Sequence, residues 1–215
     1  MKLSVAASLL ASCAFGASVF AGVYQYAFDG ITNNNASDTA AGEAQLFVEV
    51  TAPASGQIAF RFVNDGPIAM SIAQVYFDDQ SGFQSQGFLD AAVIAGGAGV
   101  LFEAGGSPNN LPGGQTLSPA FVATQRFSAQ NPRPSNGVNP GESLTITFTL
   151  APGRTFADAI TALDAQTDGL RIGIHVQSFA SGNSEGFVNV PSPGSLALAS
   201  LAGGVCFRRR RSTQR

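Results

Sequence analysis

The stretch "SLTITFTL", residues 143–150, decides the fold. Leu144, Ile146, Phe148 and Leu150 alternate with Thr145, Thr147 and Thr149, so an extended chain carries apolar side chains on one face and hydroxyls on the other. Threonine suits the solvent face of such a strand, because its branched Cβ packs well on a pleated surface.

The same period of two recurs outward from this segment. In "QIAFRFVN" (57–64), Ile58, Phe60 and Phe62 share a face, and in "QLFVEV" (45–50) Leu46, Val48 and Val50 do. "LRIGIHVQ" (170–177) sets Leu170, Ile172, Ile174 and Val176 inward, with Arg171, His175 and Gln177 outward. "VYQYAF", "IAQVYF", "FVATQRF" and "FVNV" read as further strands. Turn residues bound most of them, among them Asn64-Asp65-Gly66-Pro67, Asn139-Pro140-Gly141 and Asp168-Gly169. One segment departs from the period: "TFADAITALDAQ" (155–166) spaces Phe156, Ile160 and Leu163 as one face of a helix, with Thr155 as its N-cap. The expectation is an all-β, antiparallel β-sandwich with one short helix, and a jelly roll as its close variant. Two long loops, 104–120 and 128–142, interrupt the strands.

Charge is segregated along the chain. The only lysine is Lys2, and five of the arginines fall in the last eight residues. Residues 22–194 hold five arginines against all fourteen acidic residues, a balance of nine negative charges. Such a body offers no electrostatic footprint for nucleic acid. Its two cysteines, Cys13 and Cys206, lie in the terminal apolar stretches, which leaves the body without thiols for disulfides or metal.

The ends read as targeting segments flanking a single domain at 22–189. Residues 1–21, "MKLSVAASLLASCAFGASVFA", carry one positive charge, an uncharged apolar run expected to be helical, and small residues before a cleavage point between Ala21 and Gly22. That is a secretory signal, the substrate of a signal peptidase. "LASC" (10–13) is a lipidation-type alternative centred on Cys13, and the apolar run that continues after it favours the ordinary signal. At the other end, Val190-Pro191-Ser192-Pro193-Gly194 precedes thirteen uncharged residues, Ser195–Phe207, and then Arg208, Arg209, Arg210 and Arg211. As a helix, thirteen residues reach about 20 Å, short of a hydrocarbon core of about 30 Å. The arginines hold their end on the cytoplasmic side. A marginal span with a firm stop suits a transient membrane hold.

This order of turn motif, apolar helix and arginine cluster in residues 190–215 resembles the PEP-CTERM sorting signal, with Ser192 where the name-giving motif has glutamate. The resemblance implies an exported protein whose tail is processed by an exosortase-type enzyme. It also implies delivery to the cell envelope or to extracellular polysaccharide, and a structural or adhesive role without catalysis.

The search for chemistry in the body agrees with that expectation. His175 is the only histidine and reads as an exposed side chain on a strand's polar face, with no G-x-S-x-G elbow or metal spacing beside it. Asp78-Asp79, adjacent at a strand end, point to opposite faces rather than across a cleft, and Glu185 sits in a loop. No catalytic residue is assigned. The one metal candidate is "DGITNNNASD" (29–38), whose Asp29, Asn33, Asn35 and Asp38 offer the hard oxygen ligands that suit Ca²⁺, although such clusters also build turns. A secreted carbohydrate-binding module is the alternative function, with Tyr24, Tyr26, Tyr76 and phenylalanines as its stacking platforms.

Overall fold

The alternating segments form strands, and two of them do so at the residues read from the sequence. The computed structural model describes residues 22–79, 87–166 and 169–191. Within these lie β1 (Tyr24–Gly30), α1 (Ala36–Gln45), β2 (Leu46–Thr51), β3 (Gln57–Asn64), β4 (Ser71–Asp78) and β5 (Leu89–Gly96). There follow β6 (Phe102–Ala104), β7 (Gln125–Ala129), β8 (Ser143–Leu150), α2 (Phe156–Ala165), β9 (Arg171–Gln177) and β10 (Glu185–Pro191). The fold is mostly antiparallel β with two short helices.

All ten strands belong to one sheet, in the order β5-β8-β3-β2-β1-β10-β9-β4-β7-β6. Two separate sheets were expected; pairing of β1 with β10, from Tyr26↔Pro191 to Gly30↔Phe187, joins what would have been their edges. The sheet curls until its two halves face each other and its ends, β5 and β6, come close. Phenylalanines fill the space between the halves. Phe77 of β4 meets Phe60 of β3 and Phe148 of β8, each at a centroid distance of 4.9 Å and edge to face, and Phe127 of β7 meets Phe148 at 5.8 Å. Edge-to-face contact sets the positive rim of one ring against the negative face of the next, adding to what burial alone provides. Leu144, Ile146, Phe148 and Leu150 all lie in this core, as their alternation requires.

Helix α2 begins at Thr155, whose hydroxyl accepts from the Asp158 N–H while the Asp158 carboxylate accepts from the Thr155 N–H. This reciprocal cap satisfies donors that a helix start leaves open. Ala159 and Leu163 turn into the core, and Tyr26 ties the helix down by donating to Asp164 at 2.9 Å. Helix α1 was not foreseen: residues 29–38, read as a turn or cation cluster, lead into a helix capped by Asn35. "FVATQRF" is a strand only from Gln125 onward. Phe121 instead bends into the loop, its N–H donating to Gly114 at 2.9 Å, and is fully buried against the outside of the sheet. Among the described residues no helix is long and apolar enough to cross a membrane.

Candidate functional site

The outer face of β4 and β9 carries a ladder of three facing pairs: Gln74↔His175, Tyr76↔Gly173 and Asp78↔Arg171. Alternation places Gln74, Tyr76 and Asp78 on the side away from the phenylalanine core, and β9 matches them rung by rung. A sheet's outer face is ordinarily wet. Here the irregular segment 105–124 lies over it and all five side chains of the ladder are buried.

Each rung fastens that segment. Arg171 is paired with Asp78, and its guanidinium donates to the Pro119 carbonyl (2.8 Å) and the Ala120 carbonyl (2.7 Å). Asp78 also accepts from the Val122 N–H at 3.1 Å, and the Phe121 ring lies 5.3 Å from the guanidinium carbon. A buried ion pair is tolerable only when the remaining donors and acceptors are met, and here backbone groups meet them. In the middle rung, Tyr76 donates to the Pro108 carbonyl at 3.2 Å and packs with Leu111, Phe121 and Val188 as a second, smaller core. Gly173 and Gly186 are what let the segment approach. A Cβ on Gly173 would lie 2.6 Å from Leu111 Cδ2, and one on Gly186 would lie 2.2 Å from the Pro112 carbonyl oxygen. In the last rung His175 Nδ1 stands 2.5 Å from Gln74 Oε1, and the Gln74 amide donates to the Ser107 carbonyl. Burial pushes the His175 imidazole down to about 4, so it is neutral at physiological pH. Nδ1 then carries the proton it shares with the amide oxygen.

This corrects the reading of Arg171 and His175 as solvent-facing. They do leave the core side of the sheet, but segment 105–124 covers them. The partner of His175 is an amide, which neither accepts a proton for it nor becomes a nucleophile. The chemistry of the ladder is that of a fastening. Sequence reasoning missed Gln74 and Asp78 as partners, although a signal was there: 74 and 78 have the same four-residue spacing as 171 and 175, which antiparallel pairing superimposes.

No family model, curated protein or solved structure matches this chain. Its functional reading therefore rests on its own residues.

The four calcium candidates occupy β1, the loop after it, and the start of α1. Asp29 is exposed on β1, and Asn33 is exposed in the loop. Asn35 Oδ1 is committed as the α1 cap, accepting from the Ser37 N–H (3.0 Å), the Ser37 hydroxyl (2.6 Å) and the Asp38 N–H (3.4 Å). Asp38 is buried against the Ser181 hydroxyl. The loop instead wraps round a carboxylate from elsewhere: Glu185, 1 % exposed, accepts from Thr32 Oγ1 (2.5 Å) and from the N–H groups of Asn34 (3.2 Å) and Asn35 (2.8 Å). Among the described residues no three His, Cys, Asp or Glu side chains gather as a metal cluster.

Asp79 turns away from Asp78, accepting from the N–H groups of Phe88 (2.7 Å) and Leu89 (2.8 Å); burial raises its pKa despite those donors. A groove of about 560 Å³ opens at one end of the sheet, lined by Ser55, Gln57, Leu150, Arg154, Thr155 and Phe156 among others. Of the sorting residues, Val190 and Pro191 end β10. Gly22 is the first described residue, while Ala21, Ser192, Pro193, Gly194 and Arg208–Arg211 lie outside the described residues, as do both terminal apolar segments expected to be helical.

Proposed function

We propose that this chain is an exported cell-surface or extracellular-matrix protein, sorted by a PEP-CTERM-like tail and structural or adhesive in role. The observation that carries the reading is the order Val190-Pro191-Ser192-Pro193-Gly194, an apolar run to Phe207, and Arg208–Arg211. The leader at 1–21 supports it by supplying the export step that such a tail needs. The acidic body supports it too. Its two facing half-sheets make a sandwich-like scaffold, in which the buried Arg171 and Glu185 side chains are hydrogen-bonded to backbone groups of the neighbouring loops. In this reading a signal peptidase and an exosortase-type enzyme act on the chain in turn, and extracellular polysaccharide is the neighbour it meets.

Intact mass of the protein recovered from the producing cell, fraction by fraction, tests this. The expected product lacks residues 1–21 and everything beyond about Gly194. A mass that retains Arg208–Arg211 in every fraction overturns the sorting reading and leaves a plain membrane anchor.

A carbohydrate-binding module is the second reading, favoured by the groove beside Phe156. There a half-buried aromatic ring, stacked edge to face with Tyr24 at 5.7 Å, adjoins the polar side chains of Gln57, Ser55 and Arg154. Aromatic faces with flanking hydrogen-bonding groups suit sugar rings. Binding on a glycan array that Phe156→Ala abolishes would establish it; no binding to any glycan would remove it.

A further inference from the structure

The groove beside Phe156 has two walls of different origin. One is the turn between β2 and β3, with Ala54, Ser55 and Gln57; the other is the link from β8 into α2, with Leu150, Thr155 and Phe156. Hydrogen bonds fix both. The Leu150 N–H donates to the Gly56 carbonyl (2.8 Å) and ties one wall to the other, while the Gln57 N–H donates to the Ala54 carbonyl (3.1 Å). The reciprocal cap of α2 sets Phe156 as its first helical residue, where the ring meets Tyr24 edge to face. A site held in this way is shaped before a ligand arrives, so little ordering cost offsets binding. Its volume, about 560 Å³, lies within the range of about 300–1,000 Å³ usual for small-ligand pockets.

Charge selects among the sugars that such a groove can take. Arg154 is the only charged side chain among the described residues that line it. Its guanidinium carbon lies 4.5 Å from the centre of the buried Phe88 ring, and the carboxyl groups of Asp79 and Asp158 are both within its electrostatic range. One positive charge is thus met by a ring face and two carboxyl groups, which leaves little attraction for an anion. The surrounding body carries nine excess negative charges. A glycan with a carboxylate or sulfate on each ring would bring its own charges into that field. The Thr155 hydroxyl donates to Asp158 (2.7 Å), and the Ser55 hydroxyl and Gln57 amide supply uncharged hydrogen-bonding groups beside Ala54, Leu150 and Phe156.

We propose that this groove takes a neutral hexose chain, a glycan without carboxylate, sulfate or phosphate groups. The inference rests on the carbohydrate reading of the groove and adds the class of its ligand. A pyranose lays its C–H bonds against the Phe156 ring, since their slight positive charge suits the negative face of an aromatic ring. Its hydroxyls meet the Gln57 amide, which both donates and accepts, and the Ser55 hydroxyl. These contacts are short-ranged and uncharged, so salt leaves them nearly untouched, whereas it would loosen a polyanion held by Arg154.

Isothermal titration calorimetry of the full chain, in a detergent without a sugar headgroup, tests this. Gluco-, manno- and galacto-hexaoses serve as neutral probes and an oligogalacturonate as the acidic one. At least one neutral probe is expected to bind, with a Kd that changes by less than about twofold between about 50 and about 500 mM salt. F156A should weaken that binding at least about tenfold, and Q57A, which removes no packed ring, should weaken it several-fold with the circular dichroism unchanged. An oligogalacturonate that binds more tightly than every neutral probe, or a neutral-probe affinity that collapses with salt, overturns the neutral class while the carbohydrate reading stands. A neutral probe held by F156A and Q57A as tightly as by the wild type binds elsewhere and overturns the proposal. If no probe binds but a glycan array is positive, the class is wrong; if the array is silent too, the carbohydrate reading itself falls.

Discussion

Arg171 and Asp78 face each other across the antiparallel ladder of β9 and β4, both buried, and between them they hold the backbone of residues 119–122 through three further hydrogen bonds. Removing one partner leaves a charge stranded in the interior. Asp78→Ala should cost about 3–5 kcal/mol in urea unfolding, whereas Asp78→Ala combined with Arg171→Leu should cost less than Asp78→Ala alone. Subtilisin, which has no need of a basic residue, should cut the 105–124 segment faster in the single variant. Equal losses in the single and double variants would show that the pair does not hold the segment.

Acid should weaken the fold through His175. Its folded-state pKa is pushed down to about 4 from an ordinary 6.5, so below pH 6.5 the unfolded chain takes up a proton that the folded one refuses. Stability is then lost progressively between about pH 6.5 and pH 4, by up to about 3 kcal/mol. Asp79 works in the opposite sense, since its raised pKa favours the folded state as pH falls toward the carboxylate range. The informative comparison is therefore wild type against His175→Gln, whose stability should be flatter across that window. Parallel curves would exclude His175 as the source.

The two close-approach glycines should differ in a predictable order. At Gly173 a new methyl meets the end of the Leu111 side chain, which can swing aside. At Gly186 it meets the Pro112 backbone carbonyl, which cannot move without shifting the segment. Gly186→Ala should lower the melting temperature more than Gly173→Ala, with both within the range of about 1–3 kcal/mol typical of overpacking. The reverse order would mean that the segment yields more readily than Leu111 does.

Asn35 caps α1 through its side-chain oxygen. Asn35→Ala should cost about 1 kcal/mol, and Asn35→Asp should retain most of the stability. Adding calcium or EDTA should leave the melting temperature where it is; a calcium-dependent rise abolished by Asn35→Ala would restore the cation reading.

Strand positions were legible wherever one face is buried and the other wet. "SLTITFTL" and "QIAFRFVN" match β8 and β3 residue for residue, because each has a clear apolar face. β5 escaped notice for the complementary reason: Ala91, Ala92, Ala95 and Gly96 give an edge strand no contrast between its faces. Helix α1 was hidden because it buries Asp38, Ala41, Gly42 and Gln45, small or polar side chains that make no apolar stripe. Asn35 ahead of an alanine-rich run was the cue that could have found it. The fastening ladder was half legible. Alternation gave the correct side of the sheet for Arg171 and His175, but it says nothing about where an irregular segment lands, so their burial had no local signature.

The pairing of β1 with β10 places the first and last strands side by side, with Tyr26 against Pro191. Their outer ends therefore leave the body at the same point. A pull that separates those two ends loads the ladder one hydrogen bond at a time, like the teeth of a zip, and parts it at low force. A pull on Pro191 against the far end of the body loads β10 lengthwise between β1 and β9, so that two ladders must shear together. The geometry makes this domain strong when tugged by its tail alone and weak when held by both ends.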